Sequence, residues 1–68
     1  MKLKFRLKDT FNNVTLSQHH TFAGALRAEK QTQRDIKAHC GRDSYLPTDI
    51  LERGEDGKYR VVFQGEQD

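Results

Sequence analysis

The residues best suited to chemistry near the N-terminus are cations at every second position. Between residues 2 and 8 they alternate with apolar residues, and they are Lys2, Lys4, Arg6 and Lys8. Because successive side chains of a strand point to opposite faces, this alternation predicts a strand with one apolar and one basic face. Lys58 and Arg60 would extend the basic face if the first and last strands are neighbours. Such a face predicts binding to the phosphate backbone of nucleic acid, alone or within a nucleoprotein complex.

A second row of cations has helical spacing. Its members follow one another at steps of three, four and three, and they are Arg27, Lys30, Arg34 and Lys37. This spacing places them along one side of a helix. If the helix covers the apolar face of the sheet, this row points away from the basic strand face, so one straight duplex cannot touch both. A charged row is also typical of a solvated helix face. A lysine-rich strand face is often a protection against aggregation. These interpretations stay open.

Metal binding and nucleophilic catalysis find little support in the residue pattern. His19 stands beside His20, and His39 beside Cys40, whereas zinc sites need about four ligands at paired spacings such as C-x-x-C. As a nucleophile, Cys40 or Ser44 would need a base and an orienting partner in a cleft, and no motif marks one. The sequence predicts no enzyme, no metal and no cofactor, with Cys40 as a small buried hydrophobe.

Size and composition favour one small domain. The chain has 68 residues, of which 34% are hydrophobic and 32% charged, and a chain this short buries roughly 60% of its unfolded surface. We expect a domain over residues 1–64 and a disordered tail over 65–68. Its single cysteine allows no internal disulfide, which fits a reducing compartment. No apolar run approaches the length of a membrane span, so we expect a cytoplasmic protein without membrane contact.

Charge is distributed unevenly along the chain. Residues 1–42 carry nine Lys and Arg against three acidic residues, and residues 43–68 carry three against seven. The two halves therefore have formal charges of +6 and −4. Either they neutralise each other across the fold, or the first half presents a functional basic surface.

The elements follow from periodicity and from capping residues. Alternation over about 2–8 and 14–18 predicts a hairpin. Thr21 is a suitable N-cap for a helix that spans residues 22–40 and ends at Gly41.

After the helix, residues 48–53 are ambiguous between a strand and a short helical turn, for which Pro47 suits the first position. We favour the strand, because 58–64 reads as its hairpin partner. The sequence thus predicts an α+β domain of order β-β-α-β-β, an antiparallel sheet with one helix packed on one face. An edge strand leaves both a monomer and a homodimer possible.

The same alternation predicts which residues face the helix. The apolar set expected beneath it comprises Leu3, Phe5, Leu7, Val14, Leu16, Tyr59, Val61 and Phe63. Two polar residues, Glu29 and Gln33, interrupt the apolar seam of the helix, and we expect them to approach a sheet edge or a partner. In the following loop, Leu46 either closes the open end of the core or forms a protein-binding knuckle with Tyr45.

The layout of a helix from Thr21 to Cys40 followed by a hairpin around Asp56 and Gly57 resembles that of small phage-encoded inhibitors. These include anti-CRISPR proteins that block type I surveillance complexes. The resemblance is one of layout and transfers no individual residue. It implies a stoichiometric binder without a cofactor. Many such inhibitors are acidic, and the basic first half of this chain departs from that pattern. In this alternative a protein partner binds the helix row or the loop, through Arg27, Lys30, Arg34, Lys37, Tyr45 and Leu46.

Overall fold

The computed structural model describes residues 3–65 and contains one helix and one four-stranded sheet in that range. The elements are β1 (Phe5–Asp9), β2 (Val14–His19), α1 (Phe22–Cys40), β3 (Thr48–Arg53) and β4 (Tyr59–Gln64). The strands are antiparallel and lie in the order β2-β1-β3-β4. The predicted α+β architecture is confirmed, and residues 48–53 form the favoured strand.

Both ends of α1 lie where the capping residues predict them. The Oγ1 of Thr21 accepts a hydrogen bond of 3.0 Å from the backbone N–H of Gly24, which satisfies one of the free donors of the first turn. At the other end, Gly41 adopts a φ of 117° and its N–H donates to the carbonyl of Lys37 at 3.0 Å. A side chain would be strained at this φ, so glycine suits the position.

The turn between β1 and β2 is organised by the carboxylate of Asp9. Asp9 is 3% exposed, and it accepts hydrogen bonds from the backbone N–H groups of Phe11 and Asn12 at 2.9 and 3.1 Å. The side-chain amide of Asn12 adds a third at 2.8 Å. Burial raises the pKa of Asp9, but the hydrogen bonds from Asn12 and Phe11 outweigh it, and the net pKa is lowered. Asn13, with φ of 60°, completes the turn in a region that asparagine tolerates.

The hydrophobic core is small and lies between α1 and the two central strands. Leu7 of β1 and Ile50 of β3 are directly paired, and both are at most 1% exposed. Ala25 of α1 is fully buried against them, because its small side chain lets the helix approach the sheet closely. The partly buried side chains that pack against this centre are Phe5, Leu26, Ala28 and Phe63.

A bulge in β4 reverses the faces that the alternation predicts. Phe63 pairs with Ile50, but the next pair joins Val61 to Leu51, so Val62 is an extra residue. One extra residue moves the side chains beyond it to the other face of the sheet. Val61 is therefore 46% exposed rather than buried beneath the helix.

Three further members of the predicted core are not covered by the helix. Tyr59 lies beyond the same bulge and pairs with Arg53 on the face away from Phe63. The β1–β2 register also shifts, between Leu7 and Lys8. Leu16 is the unpaired residue at this shift and is 41% exposed. Val14 pairs with Asp9 on the face that carries Leu7, as predicted, but it is 47% exposed and not covered by the helix. The prediction that Tyr59 and Leu16 lie under the helix is wrong.

The polar residues of the helix seam are buried and bind the segment that leads into β3. Gln33 is 7% exposed, and its side chain both accepts from the N–H of Leu46 at 2.9 Å and donates to the carbonyl of Leu46 at 2.6 Å. Its amide also donates to Glu29 at 3.0 Å. Glu29, 5% exposed, accepts a longer bond of 3.4 Å from Thr48. Their expected place at an edge or a partner is corrected: they fasten α1 to the start of β3.

The end of the described chain is packed against this network. Gly65 is buried, and its N–H donates to the carbonyl of Thr48 at 2.7 Å. The prediction of a disordered tail is therefore wrong at residue 65, while residues 66–68 lie outside the described residues. Nowhere between residues 3 and 65 does a helix combine the length and apolar character that a membrane span requires.

Candidate functional site

The sheet has a face that α1 does not cover, which we call the open face. Directly paired residues of an antiparallel sheet place their side chains on the same face, so the register defines its members. Since Leu7 and Ile50 point to the helix, the alternate residues form the open face. From the four strands these are Arg6, Lys8, Thr15, Gln18, Asp49, Leu51, Arg53, Tyr59, Val61 and Gln64.

Two of the predicted cations of the first strand lie on the open face. Arg6 and Lys8 are both partly buried there. Lys8 stands opposite Asp49, because β1 pairs with β3. The strands β1 and β4 are not neighbours, which was the condition for Lys58 and Arg60 to extend the basic face. The open face is therefore positively charged without being free of acidic residues.

The other predicted members of the basic face lie elsewhere. The ammonium of Lys4 is 3.1 Å from the carboxylate of Glu52, which shares a face with Phe5 and not with Arg6. Arg60 is directly paired with Glu52, so it lies on the helix side of the sheet. The position predicted for Arg60 is wrong, because the predicted alternation did not include the bulge. Lys58 is exposed and precedes β4, and Lys2 lies outside the described residues.

The centre of the open face is a stacked pair of side chains. The guanidinium of Arg6 lies over the ring of Tyr59, with its Cζ 4.1 Å from the ring centroid. To reach Tyr59 on β4, the side chain of Arg6 on β1 crosses β3, which lies between them. Strict alternation in the last strand, which predicts Tyr59 under the helix, does not reveal this pair. Two adjacent valines, Val61 and Val62, in an otherwise alternating strand were the available signal of a bulge.

Next to this pair lies a second arginine, Arg53, which is directly paired with Tyr59. The Nε atoms of Arg6 and Arg53 are both enclosed by the protein and have no hydrogen-bond partner within residues 3–65. Arg53 and Tyr59 also line an open groove of about 1020 Å³ at the end of the sheet where β3 turns into β4. Arg53 was not among the site residues predicted from the sequence.

The helix row lies on the surface of α1. Arg27, Lys30 and Arg34 are exposed, and Lys37 is partly buried. Because α1 packs on the face that carries Leu7, this row is separated from the open face by the sheet.

The loop cluster that follows the helix combines an exposed ring with a fixed backbone. Tyr45 is 44% exposed, and Leu46 beside it is partly buried. The hydrogen bonds from Gln33 hold both backbone polar groups of Leu46. The ring of Tyr45 is therefore presented next to a tethered residue.

The residues considered for metal or thiol chemistry are dispersed. Cys40 is exposed, which corrects the prediction that it is buried. His19 lies 2.8 Å from the hydroxyl of Ser17, and His39 lies 2.8 Å from the carbonyl of Asp35. Within residues 3–65 no group of three His, Cys, Asp or Glu side chains is placed to hold a metal ion. No protein-family model, curated protein or solved structure matches this chain.

Proposed function

We propose that the protein is a small non-enzymatic module that binds single-stranded nucleic acid on its open face. The stack of Arg6 on Tyr59 at 4.1 Å carries this proposal. Unpaired bases stack on aromatic rings and on the planes of arginine guanidinium groups. The stacked pair offers such a platform, on the face of the sheet that the helix leaves open.

The surroundings of the stack support the same ligand. Arg6, Lys8 and Arg53 supply positive charge for the phosphate backbone, and Asp49 is the acidic residue on this face. Val61, 46% exposed, adds an apolar surface beside the stack. A flat face of this composition suits splayed bases, whereas a duplex hides its bases and offers mainly phosphates.

The test is fluorescence anisotropy with a short labelled RNA or DNA strand and with the corresponding duplex, over a salt series. We expect micromolar binding of the single strand that weakens steeply with salt, and weaker binding of the duplex. Tyr59→Leu should weaken binding by about 1 to 3 kcal/mol, the range for loss of one base stack. Arg34→Gln on the far side of the sheet is the matched control for Arg6→Gln. Absence of binding at low salt, or equal effects of these two arginine variants, would contradict the proposal.

A second candidate function is a protein inhibitor or adaptor of the kind that the phage-inhibitor resemblance implies. The observation in its favour is the exposed ring of Tyr45 beside a backbone fixed by Gln33. An aromatic side chain on a rigid support loses little conformational entropy on binding, as is typical of interface anchors. The exposed cations Arg27, Lys30 and Arg34 would then contact an acidic surface of the partner.

The two candidates predict opposite responses to the same pair of variants. If a protein partner binds through the loop and helix, Tyr45→Ala should abolish its capture while Tyr59→Leu leaves it intact. If the open face is the functional surface, Tyr59→Leu should impair function and Tyr45→Ala should not. A functional assay in which neither variant has an effect contradicts both candidates.

A further inference from the structure

We infer that Arg6 and Arg53 together form a binding site for a phosphate group on the open face. Arg6 is directly opposite Leu51, and Arg53 is two residues further along the same strand. Arg6 crosses β3 towards Tyr59, and Tyr59 is the direct partner of Arg53. The two arginines therefore lie at one end of the open face, where the guanidinium of Arg6 stacks on the ring of Tyr59 and Arg53 is the strand partner of Tyr59.

Neither arginine has a counter-charge among residues 3–65. Within residues 3–65 neither takes part in an ion pair or a hydrogen bond through its side chain. Both residues are partly buried, and their Nε atoms are enclosed. Bringing two like charges out of water onto one face costs free energy unless an anion binds them. An anion between them would offset that cost.

Two of the three carboxylates that line the groove beside Arg53 are already engaged. Glu52, Glu55 and Asp56 line this groove, and Glu55 is exposed to solvent. The carboxylate of Glu52 is paired with Lys4 at 3.1 Å, and that of Asp56 accepts from the backbone N–H of Lys58 at 3.0 Å. Glu52 and Asp56 therefore hold the surrounding turn and strand end together. Within residues 3–65 neither Glu55 nor Asp49 forms an ion pair with Arg6 or Arg53, so both guanidinium groups remain open to an external anion.

The geometry of the arginine donors also suits a phosphate. Since Nε is turned inward on Arg6 and Arg53, the terminal Nη groups are the ends that remain to receive a ligand. Two Nη groups of a guanidinium fit two oxygens of one phosphate. Stacking on Tyr59 fixes the plane of the Arg6 guanidinium, so less conformational entropy is lost when the anion binds.

The inference deepens the proposed function and rests on it where the phosphate belongs to a nucleic acid strand. A phosphate held by Arg6 and Arg53 would fix the backbone beside Tyr59, on which the neighbouring base stacks. A free phosphate group offers the same chemistry, so the two sources are separated by experiment.

The test is an NMR titration of the full chain with inorganic phosphate, followed at the Nε–Hε signals of the arginines. Signals are assigned with Arg6→Lys and Arg53→Lys, and sodium chloride at matched ionic strength is the salt control. We expect the signals of Arg6 and Arg53 to shift together with one half-saturation point in the millimolar range. The exposed helix arginines Arg27 and Arg34 should show no saturable shift. In Arg53→Gln, the phosphate affinity read at Arg6 should fall at least about tenfold, the ratio expected for loss of one charged hydrogen-bonding partner.

The inference is overturned if Arg6 and Arg53 respond no more than Arg27 and Arg34, or if Arg53→Gln leaves the response of Arg6 unchanged. A second titration with a short single strand separates the inference from the proposed function. If the strand binds without shifting the two signals, the phosphate site is refuted and the proposed function stands. If inorganic phosphate shifts them and the strand does not bind, the site stands as one for a free phosphate group and the proposed function fails.

Discussion

Gln33→Glu should destabilise the fold far more than its small change in shape suggests. The side-chain amide of Gln33 donates to the carbonyl of Leu46 at 2.6 Å and to the carboxylate of Glu29 at 3.0 Å. Glutamate at this position keeps the size of the side chain and loses both donors. It also places a second carboxylate against Glu29 in a buried site, where Gln33 is 7% and Glu29 5% exposed.

The expected loss follows from these contacts. Each hydrogen bond contributes about 1 kcal/mol net, and a buried acceptor left without a donor costs a further 1 to 3 kcal/mol. Repulsion between the carboxylates at positions 29 and 33 adds to this, so we expect a loss of about 3 kcal/mol or more in the free energy of unfolding. A chain of this length has roughly 3 to 10 kcal/mol in total. The variant should therefore be marginally stable at pH 7.

A matched control lies two residues away on the same helix. Gln31 donates to Asp35 at 2.9 Å with the same spacing of four residues, but the pair is exposed. Gln31→Glu makes the same chemical change in water, where a like-charge pair at this spacing costs only about 0.2 to 0.5 kcal/mol. The comparison therefore isolates burial and the contact with Leu46.

The assay is urea unfolding followed by the circular dichroism of the helix, for the wild type and both variants at pH 7 and at about pH 5. Gln33→Glu should recover part of its loss at the lower pH, because a proton taken up by the carboxylate pair restores one donor. The reasoning is refuted if Gln33→Glu is as mild as Gln31→Glu at pH 7, or if its loss relative to the wild type does not change with pH.

Three further substitutions test the supports of the fold. Hydrogen bonds lower the pKa of Asp9 in the folded protein below its unfolded value of about 3.9. They therefore stabilise the fold above that pH, and this stabilisation is lost as the pH falls through the folded-state pKa. In urea unfolding, Asp9→Asn should be less stable than the wild type at pH 7, and the difference in free energy of unfolding should close below about pH 4. Thr21→Ala removes the hydrogen bond to Gly24 and should lower the free energy of unfolding by about 1 kcal/mol in the same assay. A free energy of unfolding equal to that of the wild type would contradict the role of Thr21 as the cap. Gly65→Ala would drive a methyl group into the hydroxyl of Thr48, and we expect a thermal midpoint lowered by the equivalent of about 1 to 3 kcal/mol; an unchanged midpoint would show that Gly65 is not packed there.

The elements of the fold could be predicted because their signals are local. Thr21 and Gly41 mark both ends of α1, and each satisfies backbone groups within a few residues of itself. The strand order could not be predicted, since pairing β1 with β3 instead of β4 depends on contacts between distant segments. Glu29 and Gln33 were misread because their buried partners, the backbone of Leu46 and the hydroxyl of Thr48, lie in a segment whose position the sequence does not reveal.

The candidate site was predicted only in part, for a similar reason. Arg6 and Lys8 lie on the open face as the alternation of the first strand predicts. Tyr59 and Arg60 exchange faces, because one bulged residue reverses the alternation before it in β4. The pairing of Lys4 with Glu52, which removes one cation from the predicted basic face, depends on the same long-range strand order.

The proposed function assigns the binding of single-stranded nucleic acid to the open face, through Arg6 and Tyr59. Its most direct test is an NMR titration of the isotope-labelled protein with a short single strand, followed at the backbone amides. The largest shifts should fall on β1, β3 and β4 around Arg6, Leu51 and Tyr59, and they should vanish in Tyr59→Leu. Shifts confined to α1 around Arg27 and Arg34, or no shifts at low salt, would contradict it.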